Sequence, residues 1–481
     1  MNPTDPTPDA ILAAHRRALS RRAPWEGLWR DCFDHCLPGR PGQGSVPIFD
    51  GTGADAAEQL AASLLAELTP PWGTWFGFTP ARDEDDATHA AALEDSARQM
   101  AREFDRANFA VEMHQAFLDL VIAGTALLQV EETMPGETAA LRFTAIPLLE
   151  AALEEGPTGR LDTIYRRSLM TADAIRARFP GAELPKHLRE PDGGGEAPKH
   201  SVVERVAPDA RGFAWHAVLD DAAGTPILLG QGRFAQSPYI AFRWLRAPGE
   251  TFGRSPVMKA LPDMRTANKV VELTLKNASI AVAGIWQAED DGVLKPANIR
   301  LTPGAIIPKA VGSAGLTPLA APGKFDVSQL VLDDLRARIR HALLADRLGP
   351  VQGARMTATE VLERSAEMAR LLGAAYGRLQ TELLTPLVLR AAAILVRRGL
   401  IPRMHMPDGH RVAIAYRSPL AQVQARGDAA NTLLWLEAVS KMGAEAAAIV
   451  DAPAAARSLA RVLGVAPDLL RDPAAPSSSA A

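Results

Sequence analysis

The sequence predicts an α+β fold in which helices come first, short strands fill the middle and a second set of helices closes the chain. Three observations carry this reading. Up to about Gly124 the apolar residues recur at helical spacing. Between Thr125 and Leu245 short β-favouring runs are set apart by Gly, Pro and Asp clusters, without the regular βαβ alternation of a doubly wound sheet. Beyond Gly253, two helical patterns flank a stretch too rich in Gly and Pro for a long helix.

The elements follow in order. From Asp9 to Cys36 the residues Leu12, Leu19, Trp25, Leu28, Trp29 and Phe33 share a helical face, and Pro24 is expected to split it into two helices. After the Gly- and Pro-rich loop Pro38–Gly53, a helix over about Ala54–Leu68 stacks Leu60, Leu64 and Leu68 and stops at Pro70-Pro71. Two more helices are expected over Ala87–Ala107 and Phe109–Gly124. Strands are expected at Thr125–Glu132, Ala140–Ile146, Thr163–Leu169, Ser201–Val206, Phe213–Leu219 and Tyr239–Leu245, with Pro180–Lys199 as a mobile surface insertion.

The segment Gly253–Ile401 is the most informative. Val257, Leu261, Met264, Asn268, Val271, Leu275, Ala278 and Val282 form a heptad seam with one polar member. Gly284–Asp326 then holds six Gly and five Pro, which leaves room only for short strands such as Ala305–Ile307. A second helix over Ser328–Leu348 carries Leu332, Leu335, Ile339 and Leu343 on one face. A long third helix starts at the capping pair Thr357 and Glu360, is expected to kink at Pro386, and runs to about Arg398. A strand at Arg411–Tyr416 and alanine-rich helices lead to a tail, PAAPSSSAA, expected to be disordered.

Composition removes several function classes. With 481 residues, 47% hydrophobic and 22% charged, the chain is built for about two to four compact units rather than for disorder. Lys and Arg number 52 against 56 acids, a formal net charge of −4, which disfavours tight, sequence-independent grip on DNA. Two cysteines suit a reducing compartment. The opening MNPTDPTPDA has no secretory pattern, and the apolar stretches Phe117–Val130 and Leu383–Val396 fall short of a membrane span, so no membrane role is expected.

Searches for chemistry return little. No Gly-x-x-x-x-Gly-Lys-Ser/Thr loop exists, since Gly323-Lys324 is followed by Phe325 and preceded by Pro318 where the first glycine belongs. Gly39, Gly42 and Gly44 miss the dinucleotide spacing, and neither a Gly-x-Ser-x-Gly elbow nor a His-Glu-x-x-His pair occurs. Cys32, His35 and Cys36 read as packing, because His35 lies off the face the cysteines share. The run Asp83–Asp86 reads as a solvated helix start, and His405 and His410 flank a turn. No catalytic residue, cofactor site or metal site is expected, and the chain reads as a non-enzyme.

Basic residues form two stripes. Arg265, Lys269 and Lys276 share one face of the first paired helix, and Arg336, Arg340 and Arg347 repeat those offsets on the second. Glu272 and Asp346 temper them. Such stripes are either solvated faces and ion-pair partners or a surface that meets phosphates.

Three stretches resemble a known family. They are Phe49–Phe78 (FDGTGADAAEQLAASLLAELTPPWGTWFGF), Phe252–Val282 with Gly253-Arg254-Ser255-Pro256 and Arg265-Thr266-x-Asn268, and Met356–Pro402 with Glu382-Leu383-Leu384-x-Pro386-Leu387. In that order they are similar to the head-to-tail connector, or portal, proteins of short-tailed bacteriophages, over roughly residues 25–420. One departure is Gly51 and Gly53, where the family more often has a Ser-Thr-Ala type sequence.

The resemblance implies a ring subunit: wing 1–252, stem helix 253–283, clip 284–327, second stem helix 328–347, tunnel loop 348–356, long wing helix and strand 357–417, and a short crown with its tail 418–481. It implies a homo-oligomer, typically a dodecamer, at one capsid vertex, with double-stranded DNA passing through. The terminase large subunit, major capsid and scaffolding proteins and tail adaptor proteins are the implied partners. Arg265, Lys269, Lys276, Arg336, Arg340, Arg347 and Arg355 become candidates for the channel wall, and Gly349, Pro350 and Gly353 shape the tunnel loop. Two other readings stay open: a different virion component such as a tail adaptor, or a cytoplasmic α+β enzyme with Pro180–Lys199 as a lid.

Overall fold

Thr7 opens the first helix, α1 (Pro8–Cys36): its hydroxyl accepts from the Ala10 amide at 3.3 Å, and Pro8 takes the position where no donor is needed. The structure, a computed structural model, describes residues 6–37, 47–71, 73–80, 87–134, 136–185, 188, 198–220, 224–283, 286–288, 316–318, 325–348, 373, 375–403, 412–417, 419–443 and 449–462. Contrary to expectation, Pro24 does not divide α1. It lies on the exposed side, where water can take the carbonyl its ring frees.

Helices α2 (Thr52–Leu68), α3 (Ala87–Arg106) and α4 (Phe109–Ala123) follow within a residue or two of their expected bounds. Gly124 ends α4 in the left-handed region, φ 76°, and touches Gly253, so that a Cβ on Gly253 would lie 2.1 Å from the Gly124 carbonyl oxygen. That close approach ties the end of α4 to the start of the first paired helix.

Two sheets form the middle. Strand β2 (Thr125–Glu132) lies between β3 (Leu141–Ala145) and β9 (Tyr239–Arg243), all antiparallel and buried in the main core with α4. The five-stranded meander joins β4 (Ala151–Glu155), β5 (Leu161–Thr171), β6 (Lys199–Asp209), β7 (Gly212–Asp220) and β8 (Ile227–Phe234) in sequence order. Period-two alternation gives it two apolar faces. Val203 and Val218 pack under Ile11, Leu12 and Ala18 of α1, while Val202, Ala217 and Leu219 pack under Ile175 and Phe179 of the short helix α5 (Ala172–Arg178). Leu184 and Leu188 join that second cluster, so the start of the expected surface insertion is buried; 189–197 lies outside the described residues.

Strand β1 (Phe76–Pro80) was not anticipated; it pairs antiparallel with β12 (Val412–Tyr416), which closes the chain onto its N-terminal half. Beyond the paired helices, α6 (Pro256–Ala283) and α7 (Phe325–Ala342), a two-stranded ladder joins β10 (Trp286–Ala288) to β11 (Leu316–Pro318). The expected strand at Ala305–Ile307 and the capping pair Thr357 and Glu360 lie outside the described residues, as do Asp83–Asp86, His405, His410 and the tail.

The second paired helix is shorter than expected. It stops at Ala342, Leu344 turns into the left-handed region at φ 58°, and a separate turn, α8 (Ala345–Leu348), follows. The backbone departs from a regular α-helix just before Pro386. Within the helix α9 (Ala375–Arg397) a π-turn at Gln380–Leu384 absorbs the missing donor, and the Thr385 hydroxyl donates to the Gln380 carbonyl at 2.8 Å. This helix is long and apolar enough to cross a bilayer, but Leu383, Leu387, Ala391 and Leu395 are wholly buried in protein, as a core helix requires. The helices α10 (Pro419–Lys441) and α11 (Ala452–Val462) end the described chain.

His15 on α1 is buried against Tyr165, with ring centroids 5.8 Å apart. Burial first, then the Arg167 and Arg22 charges, lower its pKa to about 4. The folded chain therefore keeps His15 neutral where the unfolded chain takes up a proton near pH 6.5. Its contribution to stability is complete above 6.5 and is lost towards pH 4, at about 1.4 kcal/mol per pH unit. Urea unfolding across that range should show a shallower loss in His15→Phe than in the parent; parallel curves would contradict it.

Candidate functional site

The candidate site is the pair α6 and α7, with the segment that clasps them. Ser255 caps α6: its hydroxyl accepts from the Met258 amide and donates to the Ile122 carbonyl, both at 2.8 Å. Gly253 meets Gly124 and Pro256 starts the helix, so three of the four residues of the Gly253–Pro256 motif have a structural task. Val257, Ala260, Leu261, Met264 and Ala267 then bury one face of α6 in the main core, and Leu332, Leu335, Ile339 and Leu343 do the same for α7.

The polar member of the seam, Asn268, is a clasp. Its Oδ1 accepts from the amides of Phe49 (2.6 Å) and Asp50 (3.2 Å), and its Nδ2 donates to the Pro47 carbonyl (3.0 Å). Asp50 in turn accepts from the Thr52 amide at the start of α2 at 3.1 Å, and its carboxylate receives Arg336 of α7 at 2.8 Å. Burial pushes the Asp50 carboxyl up, but hydrogen bonds from Thr52 and Arg336 outweigh it and hold its pKa below the ordinary value. Asp50 thus joins α2 and α7 through its carboxylate and α6 through its backbone amide. Opposite charges join the pair directly as well, with Arg338 at 2.9 Å from Asp263.

The basic candidates divide. Arg265 pairs with Asp31 of α1 at 2.5 Å. Lys269 and Lys276 both reach Glu272, at 2.9 and 2.5 Å, and Arg336 is held by Asp50. Arg340 is exposed and has no ion-pair partner among the described residues, and Arg347 sits on α8 beyond the Leu344 turn. Asp346, expected to temper Arg347, lies 3.2 Å from His341. Arg355, Gly349, Pro350 and Gly353 lie outside the described residues. The carboxylate partners of Arg265, Arg336 and Arg338 carried no sequence signal: Asp31 lies on α1, Asp50 just before α2, and Asp263 on α6 facing Arg338.

The seam also runs past its own support. Val257 to Asn268 are buried, but Leu275 is 52% exposed, as are its neighbours Leu273 at 49% and, on α7, Leu330 at 74%.

Nothing at the site points to catalysis. Among the described residues no group of His, Cys, Asp and Glu is arranged to hold a metal. Cys32 and Cys36 are buried; burial lifts the Cys32 thiol to about 12 and raises Cys36 as well, so both stay protonated packing groups.

A family model described as "Bacteriophage head to tail connecting protein" matches residues 9–470. The chain belongs to the bacteriophage head-to-tail connecting protein family. Connector relatives include the probable portal protein of Bordetella phage BPP-1, 27% identical over 96% of this chain and 88% of that one. The portal protein of Salmonella phage epsilon15 is 23% identical over 96% and 88%, and that of Escherichia phage T7 is 23% identical over 79% and 73%. Among solved structures, a chain from the neck of an empty gene transfer agent particle aligns at a TM-score of 0.37 and 14% identity, covering 84% of this chain and 89% of that one. The family is structural, and the connector's motif residues Asp50, Gly253, Ser255, Asn268 and Glu382 are positioning groups in the folded subunit.

Replacing Asn268 by Leu keeps the side chain's size and strands two amides and a carbonyl. The expected cost is roughly 2–4 kcal/mol in urea unfolding, with faster proteolytic cleavage around residues 47–50. Unchanged stability and cleavage would show that the clasp is dispensable.

Proposed function

We propose that this connector closes into a ring, a dodecamer by family analogy, at one capsid vertex of the virion, and that double-stranded DNA enters and leaves through its axis. The observation that carries the reading is the apolar seam that outruns its own subunit on α6 and α7. Leu273, Leu275, Leu330 and Val331 are 44–74% exposed on helices otherwise well packed, which a closed ring would cover.

The electrostatics suit transit rather than grip. Each chain carries a formal −4, and four of the stem cations pair with three carboxylates of their own subunit, Lys269 and Lys276 sharing Glu272. A wall built this way presents few free cations to phosphates, and each phosphate contact retained would resist movement. Arg340, Arg347 and Arg355 are the remaining candidates to face DNA, with residues 348–356 as the narrowing of the channel. No phosphate-binding loop is encoded, so a docked terminase large subunit supplies the energy of packaging, capsid and scaffolding proteins surround the ring, and tail adaptors replace the motor afterwards.

The test removes Val351–Ala354 and follows two readouts. Native mass spectrometry should find rings with and without the deletion, and heads assembled with the deleted ring should lose packaged DNA. Monomers from the parent chain would overturn the ring, and full DNA retention by the deleted form would overturn the constriction.

A further inference from the structure

We propose that the outward face of α6 in one subunit packs against the outward face of α7 in the next, with Lys269 meeting Asp333 and Leu273 meeting Leu330. The inference rests on the ring reading and specifies which side chains hold neighbours together along the stem.

Three observations lead to it. The first is direction. Asp263 pairs with Arg338 while Asn268, further along α6, reaches through Asp50 to Arg336, nearer the start of α7; the two helices therefore run antiparallel. Lys269 lies six residues past Asp263 and Asp333 five residues before Arg338, so the two stand within about 2 Å of the same height at 1.5 Å per residue. Rotation about a ring axis preserves height, so residues that meet between neighbours must share it. Leu273 and Leu330 satisfy the same condition to within about one helical turn.

The second is facing. At 100° per residue, Lys269, Leu273 and Lys276 form one stripe on α6, turned away from both the core and Asp263. Gln329, Leu330, Asp333 and Arg340 form the matching stripe on α7, turned away from the core and from Arg338. Each helix thus shows its stripe on the side opposite its partner within the subunit, which is where a neighbour stands.

The third is charge and apolar area. Lys269 and Lys276 share the single carboxylate of Glu272, leaving one positive charge over on the α6 stripe. Asp333 receives only the Gln329 amide at 3.0 Å, and among the described residues no cation reaches it or the exposed Asp334. Leu273 at 49% and Leu330 at 74% exposure sit beside these charges. Around Lys269 and Leu273 the α6 face is apolar and basic, and around Asp333 and Leu330 the α7 face is apolar and acidic, with Arg340 about two turns further along; at that level a second copy of this chain offers each what the other lacks. Lys269 and Lys276 are thereby assigned to the subunit contact and not to the channel wall.

The test uses full-length chains carrying either Lys269→Cys or Asp333→Cys, produced together so that they co-assemble, and treated with a short bismaleimide. The native Cys32 and Cys36 are buried and do not compete. Mixed particles should yield a covalent band at twice the 51.3 kDa chain mass, and particles of either variant alone should not. Rings that form without that band would overturn the contact while leaving the ring reading intact; absence of rings from the unaltered chain would overturn both. If a cysteine variant fails to assemble, the swap Lys269→Asp with Asp333→Lys decides. Each single change should lower the ring fraction and the pair should restore it, whereas a pair no better than the singles would overturn the proposal.

Discussion

The buried ion pair between Arg243 and Glu382 is the interaction on which the rest of the subunit depends. Arg243, fully buried at the end of β9, receives Glu382 at its own amide (3.0 Å), at Nε (3.3 Å) and at Nη2 (2.7 Å). Its remaining donors go to the carbonyls of Gly159 (2.7 Å) and Thr251 (3.1 Å), and Glu155 lies 3.5 Å away. A guanidinium withdrawn from water is tolerable only when its donors are taken, and removing one partner of such a pair costs about 3–5 kcal/mol. Here the partners come from the β4–β5 hairpin, the approach to α6 and the π-turn of α9. The β4–β5 hairpin, the approach to α6 and α9 are set against one another by this one side chain.

Gly124 against Gly253, Ser255 on the Ile122 carbonyl and the Asn268–Asp50–Arg336 clasp extend the constraint along α6 and α7. Arg265, Arg336 and Arg338 along this route each pair with a carboxylate of the same chain. A subunit held together by its own ion pairs has little positive charge to offer a passing duplex, which is the property a conduit needs.

Much of this was legible in the sequence, for physical reasons that can be named. Strand β2 and helices α2 to α4 were placed closely because periodicity and Gly or Pro stops act locally. The strands β1, β4 and β8 were not, because Phe76–Pro80 and Ala151–Glu155 are short and β8 is broken by Gly230 and Gly232; their partners define them. Pro24 misled because its exposed position lets the helix continue, while at Pro386 the irregularity takes the form of a π-turn. The basic stripes were visible as residue types, but their partners Asp31, Asp50 and Asp263 are contacts made in three dimensions, which spacing along one helix does not encode. Glu382 stood out only as part of a family motif, and its partner Arg243 carried no sequence signal at all.

Electron cryomicroscopy of the purified, unmodified chain tests the central claim most directly. The map should show a closed ring with an axial opening, with α6 and α7 of each subunit standing side by side along its wall and the Leu273 and Leu330 faces covered. A particle without an axial opening, or a ring whose paired helices splay outward with those faces in solvent, would contradict it.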